Sequence, residues 1–175
     1  MNKEFGGKRR YFLAGAVGLA LGLGFATWRT RTTPATDTAV RDLWLANLDG
    51  LDGQPAAMQR YQGRPLLVNF WATWCPPCVE ELPMIDTFYQ ENKDKVAVLG
   101  IAVDRLDAVK SFLGNWPVSF DIALAGMAGV ALTKSLGNPS GGLPFTVLIS
   151  STGAILERKV GKLSESDLNQ YGLMV

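Results

Sequence analysis

The chain has 175 residues, 47% of them hydrophobic and 19% charged, which is enough apolar material for one well-buried domain and hardly for two. It has no histidine and two cysteines, which excludes Ser-His-Asp and Cys-His catalysis, an imidazole-bound zinc or haem, a disulfide scaffold and a four-thiolate metal site within one chain. The net charge of +1 hides a split: residues 1–31 hold six Lys/Arg and one Glu, residues 32–175 eleven Lys/Arg and fifteen Asp/Glu, and a net-acidic main segment argues against nucleic acid as a partner.

In chain order, residues 1–10 form a basic segment expected to stay in the cytoplasm, with Lys3, Lys8, Arg9 and Arg10. Residues 11–28 follow without a charge. As a helix at ~1.5 Å per residue they would span about 27 Å. That length fits a long signal-peptide core or a short membrane anchor, with a buried helix as the third reading. Gly24-Phe25-Ala26 offers small residues for cleavage. Arg9-Arg10-Tyr11-Phe12-Leu13 resembles a twin-arginine export signal, although Lys8 stands where Ser or Thr is usual; an ordinary basic flank is the other reading. Either way the acidic domain is expected outside the cytoplasm. Residues 29–39, rich in Thr and Ala, read as a tether.

The domain is expected over 40–175. Val40 to Leu48 alternates loosely and predicts an outer strand, followed by turns at Asp49-Gly50 and Asp52-Gly53. Leu66 to Trp71 is a short apolar run of the sort found in a covered central strand. Val79, Leu82, Ile85 and Tyr89 have helical spacing up to about Asn92. Val96 to Val103 predicts a second buried strand, after which Asp104 is expected to cap a helix ending at Gly114. A short helix is predicted over Ala128 to Leu136, stopped by Gly137-Asn138-Pro139, then a hairpin of Phe145–Ile149 and Ile155–Val160. Ser164-Glu165-Ser166-Asp167 reads as a capping box opening the last helix. This order implies a mixed central sheet with helices on both faces, an α/β fold.

Both cysteines lie in Trp74-Cys75-Pro76-Pro77-Cys78, directly after a buried strand and at the start of a helix. A helix N-terminus carries about half a positive charge and several free N–H groups, which favour a thiolate. An ordinary thiol is only about 3% ionised at pH 7, whereas a pKa near 7 gives about half. Such a pair can open and close a disulfide on demand. Cys75, first in the helix, is expected to be the exposed attacking sulfur, and Cys78, one turn in, the more buried resolving one. A structural disulfide, or half of a metal site shared between chains, are the other readings.

The segment from Asn69 to Pro83 (NFWATWCPPCVEELP) resembles the active-site stretch of thioredoxin-like proteins, and within them the membrane-tethered TlpA/ResA branch. A distant second segment, Gly142-Leu143-Pro144-Phe145-Thr146, resembles the loop whose cis-proline lies against the dithiol. The resemblance covers about residues 40–175 and implies a thioredoxin-like fold. It implies Cys75 as nucleophile, Cys78 as resolving sulfur and Pro144 as the cis-proline that leaves the preceding backbone free to pair with a substrate strand. Pro83 matches a helix-kinking proline. Glu81 matches an acidic position that relays a proton or raises the thiol pKa values; a solvated helix face is its plainer reading, and Glu80 is read as surface. Asn69 stands where general thioredoxins carry a buried aspartate. Trp74, Pro76, Pro77 and Leu143 are expected to form the surface that meets substrate, with Trp71 either beside them or in the core.

The expected activity is therefore a thiol-disulfide oxidoreductase, read as a reductase of extracytoplasmic proteins, with no organic cofactor and no metal. The resemblance implies a membrane thiol reductant that recharges it, and apocytochrome c or a copper-site protein as substrate. The rivals are a disulfide-forming oxidant with the same site and a copper carrier using both thiolates, although such carriers usually add a histidine.

Overall fold

The structure, a computed structural model, describes residues 38–175. The expected basic segment 1–10, the apolar segment 11–28 and residues 29–37 of the tether lie outside them. Among the described residues no helix is long and apolar enough to cross a membrane.

The sheet is built around Leu66–Trp71 (β2), which pairs in parallel with Ala97–Ala102 (β3) and antiparallel with Phe145–Ile149 (β5). All three strands are buried along their whole length, as mainly apolar strands are when both sheet faces are covered, with Asn69 and Thr146 the buried polar exceptions. Asp121–Leu124 (β4) extends the sheet in parallel beyond β3, and the two-residue Asp49–Gly50 (β1) closes that edge antiparallel. Ile155–Val160 (β6) folds back on β5 as the predicted hairpin. The order is β1-β4-β3-β2-β5-β6.

Side chains alternate across β2. Leu67 and Trp71 face one layer with Val98, Ala102 and Leu148, against Cys78, Leu82 and Ile85 of Pro76–Asn92 (α2), Val109 of Leu106–Asn115 (α3) and Leu168 of Glu165–Met174 (α5). Leu66, Val68 and Phe70 face the other with Leu99, Ile101, Phe145 and Val147, against Val40 and Leu43 of Thr38–Leu45 (α1), a 3-10 turn at Met58–Tyr61, and Leu136 after Gly129–Ser135 (α4). Each fully buried Leu or Ile is worth roughly 1.5–3 kcal/mol, so the two layers clamp β2 from both sides. The fold class read from the sequence is the one observed.

Several local expectations are corrected. Val40–Leu48 is not a strand: Thr38–Leu45 is helical, and it buries Val40 and Leu43 one turn apart while Leu45 stands 67% exposed. Thr38 and Ala39, placed in the tether, belong to this helix. Asp104 does not cap α3; Arg105 holds the N-cap position without a side-chain bond, and Gly114 lies inside the helix. β4, β1 and the 3-10 turn at Met58–Tyr61 have no counterpart among the predicted elements. The capping box is present as expected, with Ser164 and Asp167 bonding each other's backbone.

Candidate active site

β2 ends at Trp71, the chain turns through Ala72-Thr73-Trp74, and α2 begins at Pro76 with Cys75 as its N-cap. Proline at the first helical positions is favoured by its fixed φ and by needing no N–H partner. The two prolines also change the electrostatics expected there. Pro76 and Pro77 have no N–H, and the N–H groups of Cys78 and Val79 both donate to the Cys75 carbonyl, at 3.0 and 3.1 Å. The first turn thus lacks the free donors the sequence reading supposed. Among the described residues no first-turn N–H is left to meet the Cys75 sulfur.

Cys75 and Cys78 form a disulfide, with Cα atoms 5.3 Å apart. The expected exposure of Cys75 is corrected: it is 5% exposed, against 0% for Cys78. Its side chain lies in the layer with Trp71, Ala72 and Leu82. Cys75 remains the more open of the two. Beside it Trp74 is 63% exposed, Pro76 is exposed, and Pro77 is half-buried. Trp71 belongs wholly to the core. Pro83 lies on the exposed side inside α2.

Glu81 sits three residues beyond Cys78 on the same helix and is fully buried, so a solvated face is excluded. Its Oε1 accepts from Asn69 Nδ2 at 2.7 Å and its Oε2 from the Leu163 N–H at 2.7 Å. Burial raises its pKa above the ordinary carboxylate value, opposed by the Leu163 and Asn69 hydrogen bonds and by the charge of Lys162. Asn69 shares a sheet face with Leu67 and Trp71, and its Nδ2 also donates to Thr146 Oγ1 at 3.0 Å, Thr146 being its register partner on β5. Asn69 Oδ1 is buried and has no partner among the described residues. Glu80 is the surface residue expected, paired with Lys162 at 2.6 Å.

The Leu143–Pro144 peptide is cis, as expected for the second segment. Pro144 is buried, and its carbonyl accepts from the Gly161 N–H at 2.9 Å. Leu143 is half-buried and packs against the layer that contains both cysteines. Among the described residues nothing pairs with the backbone N–H or carbonyl of Leu143.

Two positioning residues escaped the sequence reading. Asp104 Oδ2 accepts from the Thr73 N–H at 2.8 Å and from Thr73 Oγ1 at 2.6 Å, while its Oδ1 accepts from the Arg105 N–H at 2.7 Å. It therefore pins the turn that carries Trp74 and Cys75 to the end of β3. Asn138, 1% exposed, donates through Nδ2 to the Gly142 carbonyl at 2.7 Å and holds the loop leading into Leu143. The Gly-Asn-Pro sequence was legible as a turn, but its inward bond was not. Among the described residues no three Cys, Asp or Glu side chains converge as a metal site.

Comparison with known proteins agrees with this geometry. The family model described as Redoxin matches residues 31–172. The thiol-disulfide oxidoreductase ResA of Bacillus thuringiensis (strain Al Hakam) is 29% identical over 164 residues, spanning 91% of this chain and 88% of that protein. The crystal structure of a thioredoxin-related protein from Neisseria meningitidis serogroup B is similar at 34% identity and a TM-score of 0.65, over 73% of this chain and 96% of the other. A secreted disulfide oxidoreductase of Mycobacterium tuberculosis, homologous to E. coli DsbE, shares the fold at a TM-score of 0.60 and 23% identity, over 73% of this chain and 94% of its own.

Proposed function

The chain belongs to the Redoxin family and is a thioredoxin-like disulfide oxidoreductase of the TlpA/ResA type, and from that premise we propose that it reduces protein disulfides outside the cytoplasm. The observation that carries the reading is the Cys75–Cys78 disulfide at the start of α2 with the buried carboxyl of Glu81 one turn further on.

In the reduced enzyme the Cys75 thiolate attacks one sulfur of a substrate disulfide. That S–S bond breaks, the other substrate sulfur leaves as a thiolate, and Cys75 is held in a mixed disulfide. Cys78 then gives its proton to Glu81 and attacks Cys75 Sγ, releasing the second substrate sulfur as a thiolate. The substrate gains two electrons and the enzyme ends as the Cys75–Cys78 disulfide. Glu81 returns its proton to a leaving sulfur. The unpaired backbone of Leu143 before Pro144 supports an extended substrate segment adding alongside it. Trp74, Pro76, Pro77 and Leu143 make the surface that this segment meets. No organic cofactor takes part, since the electrons travel on the sulfurs.

The basic and apolar N-terminal sequence supports an enzyme held at the outer face of the membrane, recharged by a membrane thiol reductant. Apocytochrome c or a copper-site protein is the substrate proposed. The test is capture. Cys78→Ala is expected to accumulate the mixed disulfide with its substrate, and Cys75→Ala to lose disulfide reduction. Disulfide reduction that persists in Cys75→Ala refutes the assignment. A reduction potential near that of thioredoxin, about −270 mV, supports the reductive direction, and one near about −120 mV makes the enzyme an oxidant instead.

A further inference from the structure

Both hydrogens of the Asn69 amide are committed, one to Glu81 Oε1 at 2.7 Å and one to Thr146 Oγ1 at 3.0 Å, yet its buried Oδ1 meets no partner among the described residues. A buried amide oxygen left unpaired forfeits its hydration with nothing in return. Asn69 and Thr146 are both fully buried on adjacent strands, so neither is a surface residue resting in an arbitrary rotamer.

The arrangement is complementary to one charge state. Each oxygen of Glu81 accepts a hydrogen, which suits a carboxylate. A proton arriving on Oε2 meets the Leu163 N–H, a backbone donor that cannot turn. A proton on Oε1 meets the Asn69 N–H, a side-chain donor that can. The unpaired acceptor nearest to hand belongs to that same amide. We propose that Asn69 is a positioning residue whose amide turns by half a turn when Glu81 is protonated, bringing Oδ1 against the new O–H, letting Thr146 donate where it had accepted, and carrying the NH2 into the place that the unpaired Oδ1 leaves.

This deepens the role given above to Glu81 and rests on that reading. When Cys78 gives up its proton, the S–H bond breaks and an O–H bond forms on Glu81; once the Cys78 thiolate has bonded to Cys75 Sγ and no longer accepts, the amide turn supplies the acceptor for that O–H. No electrons move in this step. The groups around Glu81 are few. Lys162, before α5, lies within Coulombic reach and pairs with Glu80 of α2. β2 and β5 present the neutral Asn69 and Thr146, and β6 places Lys159 in register with Thr146, its ammonium held 3.0 Å from Asp167. The dithiol itself is the remaining titratable partner.

The test is nuclear magnetic resonance on the oxidised protein, where the cysteines do not titrate. The Asn69 side-chain NH2 pair and the Glu81 carboxyl carbon are followed from about pH 4 to about pH 10. Both are expected to shift with one common midpoint. In Glu81→Gln the new amide donates to Asn69 Oδ1 and accepts from Leu163, so the Asn69 signals are expected to hold their low-pH positions at every pH. A Glu81 carbon that titrates while the Asn69 amide stays still overturns the turn and leaves Glu81 as the proton acceptor intact. If neither signal moves, the turn and the proton role fall together.

Discussion

Replacing Asp104 tests how the end of β3 holds the cysteine turn. Asp104→Ala strands the Thr73 N–H, loses the 2.6 Å hydroxyl bond and frees the Arg105 N–H. Hydrogen bonds to a charged acceptor are worth about 1.5–3 kcal/mol each. Asp104 and Thr73 are half-buried, so water recovers part of this. A net loss of about 2–3 kcal/mol is expected, read as a lowered urea midpoint at unchanged slope. Asp104→Asn keeps one acceptor for Thr73 and is expected to lose about 1 kcal/mol. The freed turn carries Trp74 and Cys75, and a misplacement near 1 Å costs a positioned group up to about a hundredfold. Insulin reduction by Asp104→Ala is therefore expected to slow by at least about tenfold, with Asp104→Asn between it and wild type. An Ala variant within about 0.5 kcal/mol of wild type, reducing insulin at the normal rate, would refute the assignment.

Glu81 makes stability depend on pH with a definite sign. Its folded pKa lies above the unfolded value of 4.5, so its contribution is fully present below that pH and is lost as pH rises through the folded value. The wild-type urea midpoint measured relative to Glu81→Gln is expected to fall from acid toward neutral pH, and a constant difference would contradict the burial of an ionisable group. Gly100→Ala places a Cβ 2.7 Å from Ile122 Cδ1 and 3.0 Å from Phe120 Cε2; overpacking is expected to cost about 1–3 kcal/mol, checked by thermal unfolding. Asn138→Ala frees the Gly142 carbonyl. Faster amide hydrogen exchange across Gly141 to Leu143 is expected, with α2 unaffected.

What could be read from the sequence was set by local periodicity. β2, β3 and β5 are short, mainly apolar runs, α2 repeats its apolar positions with helical spacing, and the dithiol and its proline loop each sit in a contiguous motif. The first helix was misread because Leu45, exposed in the structure, completes a false alternation, while the buried pair Val40 and Leu43 is too short a signal alone. β4 has four residues and β1 two, and both owe their strand geometry to partners distant in sequence. The site followed the same rule. Cys75 and Cys78 were legible from spacing, but the Asp104–Thr73 bonds join residues 31 apart and the Asn69–Thr146 bond residues 77 apart. Such pairs exist only once strand register is set. Cys75 was expected to be open because a helix N-terminus usually is; disulfide-bonded to Cys78, it is buried against the core layer.

The stretch from Lys162 to Ser164 does three jobs in succession: Lys162 meets Glu80, the Leu163 amide meets Glu81, and Ser164 begins the cap of α5. Leu163 lies 82 residues downstream of Glu81. During synthesis the two cysteines and Glu81 therefore emerge long before the donor that completes the carboxyl's surroundings. The cysteine pair is thus local in sequence, whereas the surroundings of the Glu81 carboxyl are completed only when the segment before α5 docks.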